Sequence, residues 1–526
     1  MSPAPTTRPI AATYVPRIAS ARVYDVAIES PLDHARRLSA RLDNSVLLKR
    51  EDLQPVFSFK LRGAYNKIAQ APRAMIERGV ICSSAGNHGQ GVALAARKHG
   101  LDATIVMPTT ATPIKVEAVA ALGGKVVLEG LTYDDANRFA LELAARTGRA
   151  FVHPFDDPDV IAGQGTIALE LERQWGERPP AAIFVPVGGG GLIGGIGAYV
   201  KERYPEVGIV GVEPFESASM AKSLYAGAPV TLDHVGTFAD GVAVRRVGDE
   251  AFRLAREVVD EVVLVSTDEI CAAIKDIFED SRVVVEPAGA LGVAGLKRWL
   301  EQNPVRGKTL IAINSGANLS FGRLRHVTER AEIGEHREAL IAAEIPERRG
   351  AFLAFCEALG SRNVTEFNYR YAAGATARIF VGVSLARGED EARDLLATLT
   401  RRGYPVLDLS GNEVAKLHVR HMVGGRVPAL EDEHLYRFEF PERPGALLAF
   451  LKAIGQRWNI SLFHYRNHGS DYGRVLAGIQ VPPAERADFA SHLAALGYAC
   501  WEETDNPAYR LFLGPADPAA SPGSTA

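Results

Sequence analysis

Between about residues 44 and 322, short runs of aliphatic and β-branched residues alternate with amphipathic stretches. The runs at 80–83, 103–107, 125–128, 182–187, 208–212, 262–265 and 309–313 have the length and composition of strands. The stretches at 87–99, 114–122 and 134–147 place apolar residues at helical spacing, and several end at Gly, as helix C-termini do. Alternation on this scale predicts an α/β fold with parallel sheet covered by helices on both faces. Ligands of such sheets bind at the carboxyl ends of strands, where loops meet helix N-termini.

Beyond about residue 326 the pattern changes and an internal repeat appears. Residues 345–355 (IPERRGAFLAF) recur as 440–450 (FPERPGALLAF), with eight of eleven positions identical at an offset of 95. Residues 363–370 are echoed by 459–466 at an offset of 96. Each copy reads as strand, Pro-Glu-Arg-x-Gly-Ala turn, helix, and a strand bearing Tyr-Arg, which marks a duplicated module. The expected organisation is a disordered segment at 1–20, a catalytic domain at 21–330, modules at 337–410 and 432–513, and a disordered Pro/Ala/Ser-rich tail at 514–526.

Composition narrows the function classes. The 526 residues are 47% hydrophobic and 23% charged, with 59 Lys plus Arg against 63 Asp plus Glu, so no basic excess exists to hold a nucleic-acid backbone. Residues 1–15 have no apolar core of a secretory signal, and Cys82, Cys271, Cys356 and Cys500 form no CxxC pair; reduced thiols in the cytoplasm are expected. The uncharged stretch 181–200 imitates a membrane span, but its seven glycines and Pro186 read as strand, tight loop and helix. No membrane partner is expected.

Four motifs carry chemistry. In Ser58-Phe59-Lys60-Leu61-Arg62-Gly63-Ala64, Ser58 as N-cap would put Lys60 in a first helical turn, where the helix dipole and flanking Phe57 and Phe59 disfavour an ammonium. A partly neutral lysine suits Schiff-base chemistry, although a solvated surface lysine explains that motif taken alone. Ser84-Ala85-Gly86-Asn87-His88, between a strand and an Ala-rich helix, offers backbone N–H groups to a carboxylate. Gly188-Gly189-Gly190-Gly191-Leu192 follows a buried-strand pattern and implies close approach of a phosphate to backbone. The same stretch also fits a dinucleotide fingerprint through Gly189, Gly191 and Gly194, with Glu213 placed for a ribose, so a dinucleotide-dependent oxidoreductase is a rival reading. No Gly-Lys-Ser/Thr follows, which excludes a P-loop. Ser315, after the last strand run, could donate to a ring nitrogen.

Together and in this order, the four motifs resemble those of pyridoxal-phosphate enzymes of the tryptophan-synthase-β fold type, and specifically the threonine/serine dehydratase branch, which residues 239–244 (ADGVAV) support. With the doubled module the chain resembles the biosynthetic threonine dehydratases from about residue 31 to 513. The resemblance implies a two-lobed fold type II catalytic domain, an ACT-like α+β regulatory pair, pyridoxal 5'-phosphate as cofactor, and a homotetramer. It implies L-threonine as substrate, L-serine as a second one, and isoleucine and valine as opposed effectors. It assigns Lys60 to the Schiff base and proton transfer, Gly188 to Leu192 to the cofactor phosphate, Asn87 to the ring hydroxyl, Ser315 to the pyridine nitrogen, and Phe59 to packing on the ring. The loop from Ser84 to His88 would bind the substrate carboxylate. Racemases of the branch carry Ser where this chain has Ala85, which favours dehydration. Relatives with a divalent cation near Glu213 use an aspartate where Ser219 stands, so no metal is expected. Tyr369, its repeat partner Tyr465, and His464 are candidate effector contacts; strand packing would explain them equally.

Overall fold

The computed structural model describes residues 9–371, 375–422, 424, 427, 430–441, 446–454, 457–466, 472–507, 509 and 513. The chain divides into two compact units, residues 1–334 and 335–526.

The first unit contains two sheets. Its strands in chain order are β1 (Leu32–His34), β2 (Ser45–Arg50), β3 (Val80–Ser83), β4 (Ala103–Met107), β5 (Lys125–Leu128), β6 (Ala150–Phe151), β7 (Ala182–Pro186), β8 (Gly208–Pro214), β9 (Glu261–Val265) and β10 (Thr309–Asn314). The larger sheet has the order β1-β2-β10-β7-β8-β9, parallel except at its β1 edge, and the smaller has the parallel order β5-β4-β3-β6. Alternate residues of β7 enter opposite cores. Ile183 and Val185 pack with helices Pro158–Gln174 and Gly191–Arg203, while Ala182 and Phe184 pack with Thr267–Ser281 and Pro287–Gln302. Both faces are therefore covered, which is why the strands read as continuous apolar runs.

One expectation is corrected here. Residues 10–19, within the segment read as disordered, form a helix that buries Ala11, Tyr14 and Ile18 along one stripe. Glu257 accepts from the free N–H groups of Ile10 and Ala11 at 3.1 and 2.9 Å, and Tyr14 donates to Glu250 at 2.8 Å. The stripe is spaced i, i+3, i+7, but Pro16 and the Pro/Thr-rich start obscure it. Residues 1–8 and the expected tail from 514 lie outside the described residues.

The second unit repeats one βαββαβ plan. The first copy comprises β11 (Glu338–Pro346), helix Ala351–Leu359, β12 (Val364–Arg370), β13 (Thr376–Ser384), helix Glu389–Arg401 and β14 (Val406–Asp408). The second comprises β15 (Glu433–Pro441), helix Ala446–Ile454, β16 (Asn459–Arg466), β17 (Tyr472–Gln480), helix Arg486–Leu496 and β18 (Ala499–Glu502). Antiparallel pairing of β12 with β16 joins the copies into one eight-stranded sheet, β14-β11-β13-β12-β16-β17-β15-β18. A single core runs under both, from Ile341 and Phe355 to Phe450 and Phe463. All four cysteines are free. Among the described residues no helix is long and apolar enough to cross a membrane.

Candidate active site

Lys60 opens the helix Lys60–Gln70, as its motif predicts, but Ser58 is not the cap. Phe59 takes the N-cap position without a side-chain cap bond, and Ser58 instead bridges Gly316 in an isolated antiparallel pair. Phe59 N–H donates to Ser315 O at 3.2 Å and Ala317 N–H to Phe57 O at 2.8 Å. These bonds tie the lysine's helix to the end of β10. Phe57 holds a φ of +55°, a left-handed conformation unusual for a bulky residue, at the turn that makes this connection. Below it, buried Arg62 bridges Glu51 at 2.8 Å and Glu170 at 2.6 Å, and buried Lys49 reaches Glu170 at 2.6 Å. Each charge has partners of opposite sign, and removal of one would strand the others.

The Lys60 amine donates to Pro154 O at 2.9 Å and lies 5.4 and 6.0 Å from the ring centres of Phe59 and Phe155. Burial lowers its pKa to about 8, against a smaller opposing pull from Glu286. It lines a cavity of about 550 Å³ together with Phe59, Asn87, Gly188 to Leu192, Glu286 and Ser315. Four segments far apart in sequence thus meet at the carboxyl ends of β7 and β10 and the N-termini of two helices, Asn87–Lys98 and Gly191–Arg203.

The glycine loop is built for backbone approach. A Cβ at Gly189 would stand 2.1 Å from the Phe155 ring, and one at Gly191 2.6 Å from Phe155 O. Gly190 has φ +96°, which a side chain would strain. The first N–H groups of the following helix have no intrahelical acceptor, so an anion at this turn completes them. Ser315 is buried, and its hydroxyl donates to Ala288 O at 3.2 Å.

The loop after β3 contributes less than its motif suggests. Among Ser84, Ala85, Gly86, Asn87 and His88, Asn87 alone lines the cavity. His88 is buried with Nε2 at 2.8 Å from Val152 O, and burial and nearby Lys60 lower its pKa to about 3. Its ring is neutral and gives a carboxylate no cationic contact, so the part of this loop suited to an anion is backbone N–H.

The dinucleotide reading fails on Glu213. Its carboxylate is buried and accepts from the N–H groups of Met220 and Ala221 at 2.8 and 2.9 Å, closing the start of helix Ser219–Ala226. It does not line the cavity and has no room for a ribose. Gly194 meets Leu254 of the helix Asp249–Val258, a packing contact. Among the described residues no cluster of three or more His, Cys, Asp or Glu could hold a metal.

Motif reading missed Glu286, Gln164, Phe155 and Asn318. Glu286 precedes Pro287 at a helix start, where an acid passes for a cap; yet it makes no side-chain cap bond and turns into the cavity. Glu is a weaker N-cap than Asp, Asn or Ser, and that was the available signal.

The second unit holds a pocket of about 430 Å³ between the module copies. The turn from Pro346 to Leu353 and Tyr369 form one wall, and Leu451, Trp458, Asn459 and Ile460 the other. Tyr369 donates to Glu347 at 2.5 Å. Leu447 and Leu448 face residues 356–364 of the first copy in a repeat-related pocket of about 280 Å³, where Arg362 stands at the position equivalent to Trp458. Of the three candidate effector residues, Tyr369 lines the larger pocket; Tyr465 is buried in the common core and His464 is half-buried on β16, and neither is among the described residues of either wall.

A lysine with lowered basicity, a phosphate-sized glycine turn at a helix N-terminus and a buried hydroxyl in one cavity fit pyridoxal phosphate. Residues 23–316 match the family of pyridoxal-phosphate-dependent enzymes, and residues 329–419 and 424–513 each match the C-terminal regulatory domain of threonine dehydratase. The biosynthetic L-threonine dehydratase IlvA of Burkholderia multivorans is 56% identical over 503 residues, 95% of this chain and 99% of the relative. The solved processed form of threonine deaminase isoform 2 from Solanum lycopersicum is similar with a TM-score of 0.60 and 50% identity, over 61% of this chain and 93% of that one. Maize serine racemase is similar with a TM-score of 0.56 and 32% identity, over 61% and 98%. The chain belongs to the biosynthetic threonine dehydratase family, and is a pyridoxal-phosphate-dependent lyase with a doubled regulatory domain.

Proposed function

We propose that the enzyme dehydrates and deaminates L-threonine to 2-oxobutanoate and ammonia, takes L-serine to pyruvate by the same route, and opens isoleucine biosynthesis under inhibition by isoleucine, which valine opposes. The observation that carries this reading is the convergence of Lys60, Asn87, the Gly188–Leu192 turn and Ser315 on one cavity, in a chain whose second unit pairs two regulatory modules.

Gly188 to Leu192 hold the cofactor phosphate through backbone N–H groups. Asn87 faces the ring hydroxyl, Ser315 the pyridine nitrogen, and Phe59 packs on the ring. Pyridoxal phosphate, when bound, supplies an electron sink for the carbanion at the substrate Cα. Lys60 Nζ, lowered to a pKa of about 8 by burial, is the base that takes the Cα proton and then returns it to the departing β-hydroxyl, which leaves as water. A hydroxyl at Ser315, unlike a carboxylate, leaves the ring nitrogen without a counter-charge and weakens the sink, which favours immediate loss of the leaving group. Ala85 carries no proton-transferring group, so the second face lacks the acid a racemase needs. Within the loop that receives the substrate carboxylate, Ser84 N–H donates to Val106 O at 3.0 Å and Gly86 N–H to Ser84 Oγ at 3.2 Å, and the His88 ring is turned to Val152, so the N–H groups of Ala85 and Asn87 are the ones that face this role.

The larger module pocket would receive isoleucine: Phe352, Leu451, Trp458 and Ile460 offer its side chain an apolar lining, and Glu347 and Arg348 offer its charged groups polar partners. An effector acts by binding two arrangements of the modules unequally. A cytoplasmic homotetramer follows from the resemblance, and light scattering on the eluting protein checks the assembly. The decisive test is 2-oxobutanoate formation from L-threonine by the purified chain, with and without isoleucine. Product that falls with isoleucine is expected; product insensitive to it would remove the regulatory reading, and no product would remove the substrate assignment.

A further inference from the structure

Among the described residues lining the catalytic cavity, one side chain is cationic and one is acidic: Lys60 and Glu286. Glu286 is buried, and its Oε1 accepts from Asn87 Nδ2 at 2.6 Å across 199 residues of sequence. Its own N–H donates to Gly316 O at 3.2 Å. A Cβ at Gly316 would lie 2.6 Å from the same Oε1, and one at Gly241 3.5 Å from it, so two glycines leave the carboxyl its place.

Asn87 is gripped from its other end as well. Asn318 Nδ2 donates to Asn87 Oδ1 at 2.6 Å and to Val56 O at 2.9 Å. Val56 O can only accept, which fixes the Asn318 nitrogen as donor and orients the Asn87 oxygen toward it. The Asn87 nitrogen must then face Glu286, and one of its two protons is taken there. The second is left for the cavity.

We propose that Glu286 is a positioning residue of the lyase: by accepting one Asn87 amide proton it completes an Asn318–Asn87–Glu286 chain that presents the other to the cofactor's ring hydroxyl. The inference rests on the reading of Asn87 as a cofactor contact given above. Several charged groups surround the carboxyl. Lys60 shares its cavity; Asp240 lies beside it on the turn Asp240–Val242, and pairs with Lys115 of helix Pro113–Ala121 at 2.7 Å and with Arg323 at 3.2 Å. Burial first, and Asp240 second, raise the Glu286 pKa to about 7, while Asn87, Lys115 and the Asn318 backbone oppose the rise. Both protonation states can accept from Asn87, so a neutral isostere preserves the chain and truncation breaks it.

The test follows release of pyridoxal phosphate from full-length holoenzyme on dilution, by its visible absorbance and circular dichroism. Glu286→Ala should release the cofactor about tenfold faster and alter the visible dichroism, the scale of one lost buried hydrogen bond. Glu286→Gln should stay within about threefold of the parent, because its carbonyl oxygen still accepts. Asn318→Ala cuts the chain at the far end, should act in the same direction, and stands in if Glu286→Ala does not fold. Parent-like release and dichroism in both alanine variants would overturn the proposal, as would a Glu286→Gln variant as leaky as Glu286→Ala. Lys60→Ala separates the two layers: if it kept the visible absorbance, the site reading itself would fall, independently of Glu286.

Discussion

The catalytic cavity and the larger module pocket are of similar size, about 550 and 430 Å³, but are made in different ways. The first is walled largely by glycine backbone and by side chains whose protonation is set by burial: Lys60 lowered to about 8 and Glu286 raised to about 7. The second is walled by Phe352, Leu353, Leu451, Trp458 and Ile460, contributed by both copies of one repeat. Backbone and shifted pKa values suit bond making at a bound phosphate; a junction of two equivalent surfaces suits recognition that can change when the copies shift. Duplication also made two such junctions and then let them diverge, since the smaller one has Arg362, paired with Glu391 at 2.9 Å, where the larger has Trp458.

This contrast predicts separable losses. Lys60→Ala should lower 2-oxobutanoate formation by at least about 10³-fold, within the range for loss of a proton-transferring nucleophile, and leave isoleucine binding by calorimetry unchanged. Lost isoleucine binding in that variant would show that the two sites are not independently built. Next in size, Gly189→Ala drives a Cβ into the Phe155 ring and should cost about 1–3 kcal/mol of stability in a denaturant titration while accelerating cofactor release. A variant that retains cofactor like the parent would remove the phosphate assignment.

On the other side, Tyr369→Phe removes the hydroxyl bond to Glu347 and should weaken isoleucine inhibition by about tenfold, with turnover in its absence unchanged. If inhibition is unaltered, Tyr369 is strand packing. A further loss, confined to the catalytic cavity, concerns pH. Because the folded-state pKa of Glu286 is raised from 4.5 to about 7, its stabilising share is full below pH 4.5 and is lost as pH rises through 7. Glu286→Gln should therefore gain stability relative to the parent as pH rises from 4.5 to about 7, by about 3 kcal/mol at most, read as a diverging Tm. Parallel Tm profiles would show that the carboxyl is not held in its acid form.

Legibility tracked the distance over which each feature is decided. Strands 80–83 and 103–107 were readable to the residue because buried parallel strands are nearly continuous apolar runs, and the edge strand 125–128 kept enough of that character in its central valines to be read as well. The start of the Lys60 helix was readable, but its cap was not: Ser58 has the right side chain, and only pairing with Gly316 diverts it. His88 looked like an anion contact until Val152 O claimed its ring, and Gly189, Gly191 and Gly194 looked like a dinucleotide loop until Glu213 was found closing a helix. Glu286 carries only the weak signal of an acid at a helix start and Asn318 none, since their importance lies in what they touch.

By itself, the sequence determined the alternation that makes a parallel sheet and the four local motifs, which depend on neighbours within a few residues, and the duplication of the module, which is legible as a repeat along the chain. Only the tertiary structure decided which donor meets which acceptor: that Asn318, Asn87 and Glu286 form a chain, that Lys60 and Glu286 share one cavity, and that Tyr369 lines a pocket while Tyr465 lies in the core. The physical reason is that periodicity and turn chemistry act along the chain, whereas burial and hydrogen-bond partnership, which set pKa and orientation, are properties of the packed whole.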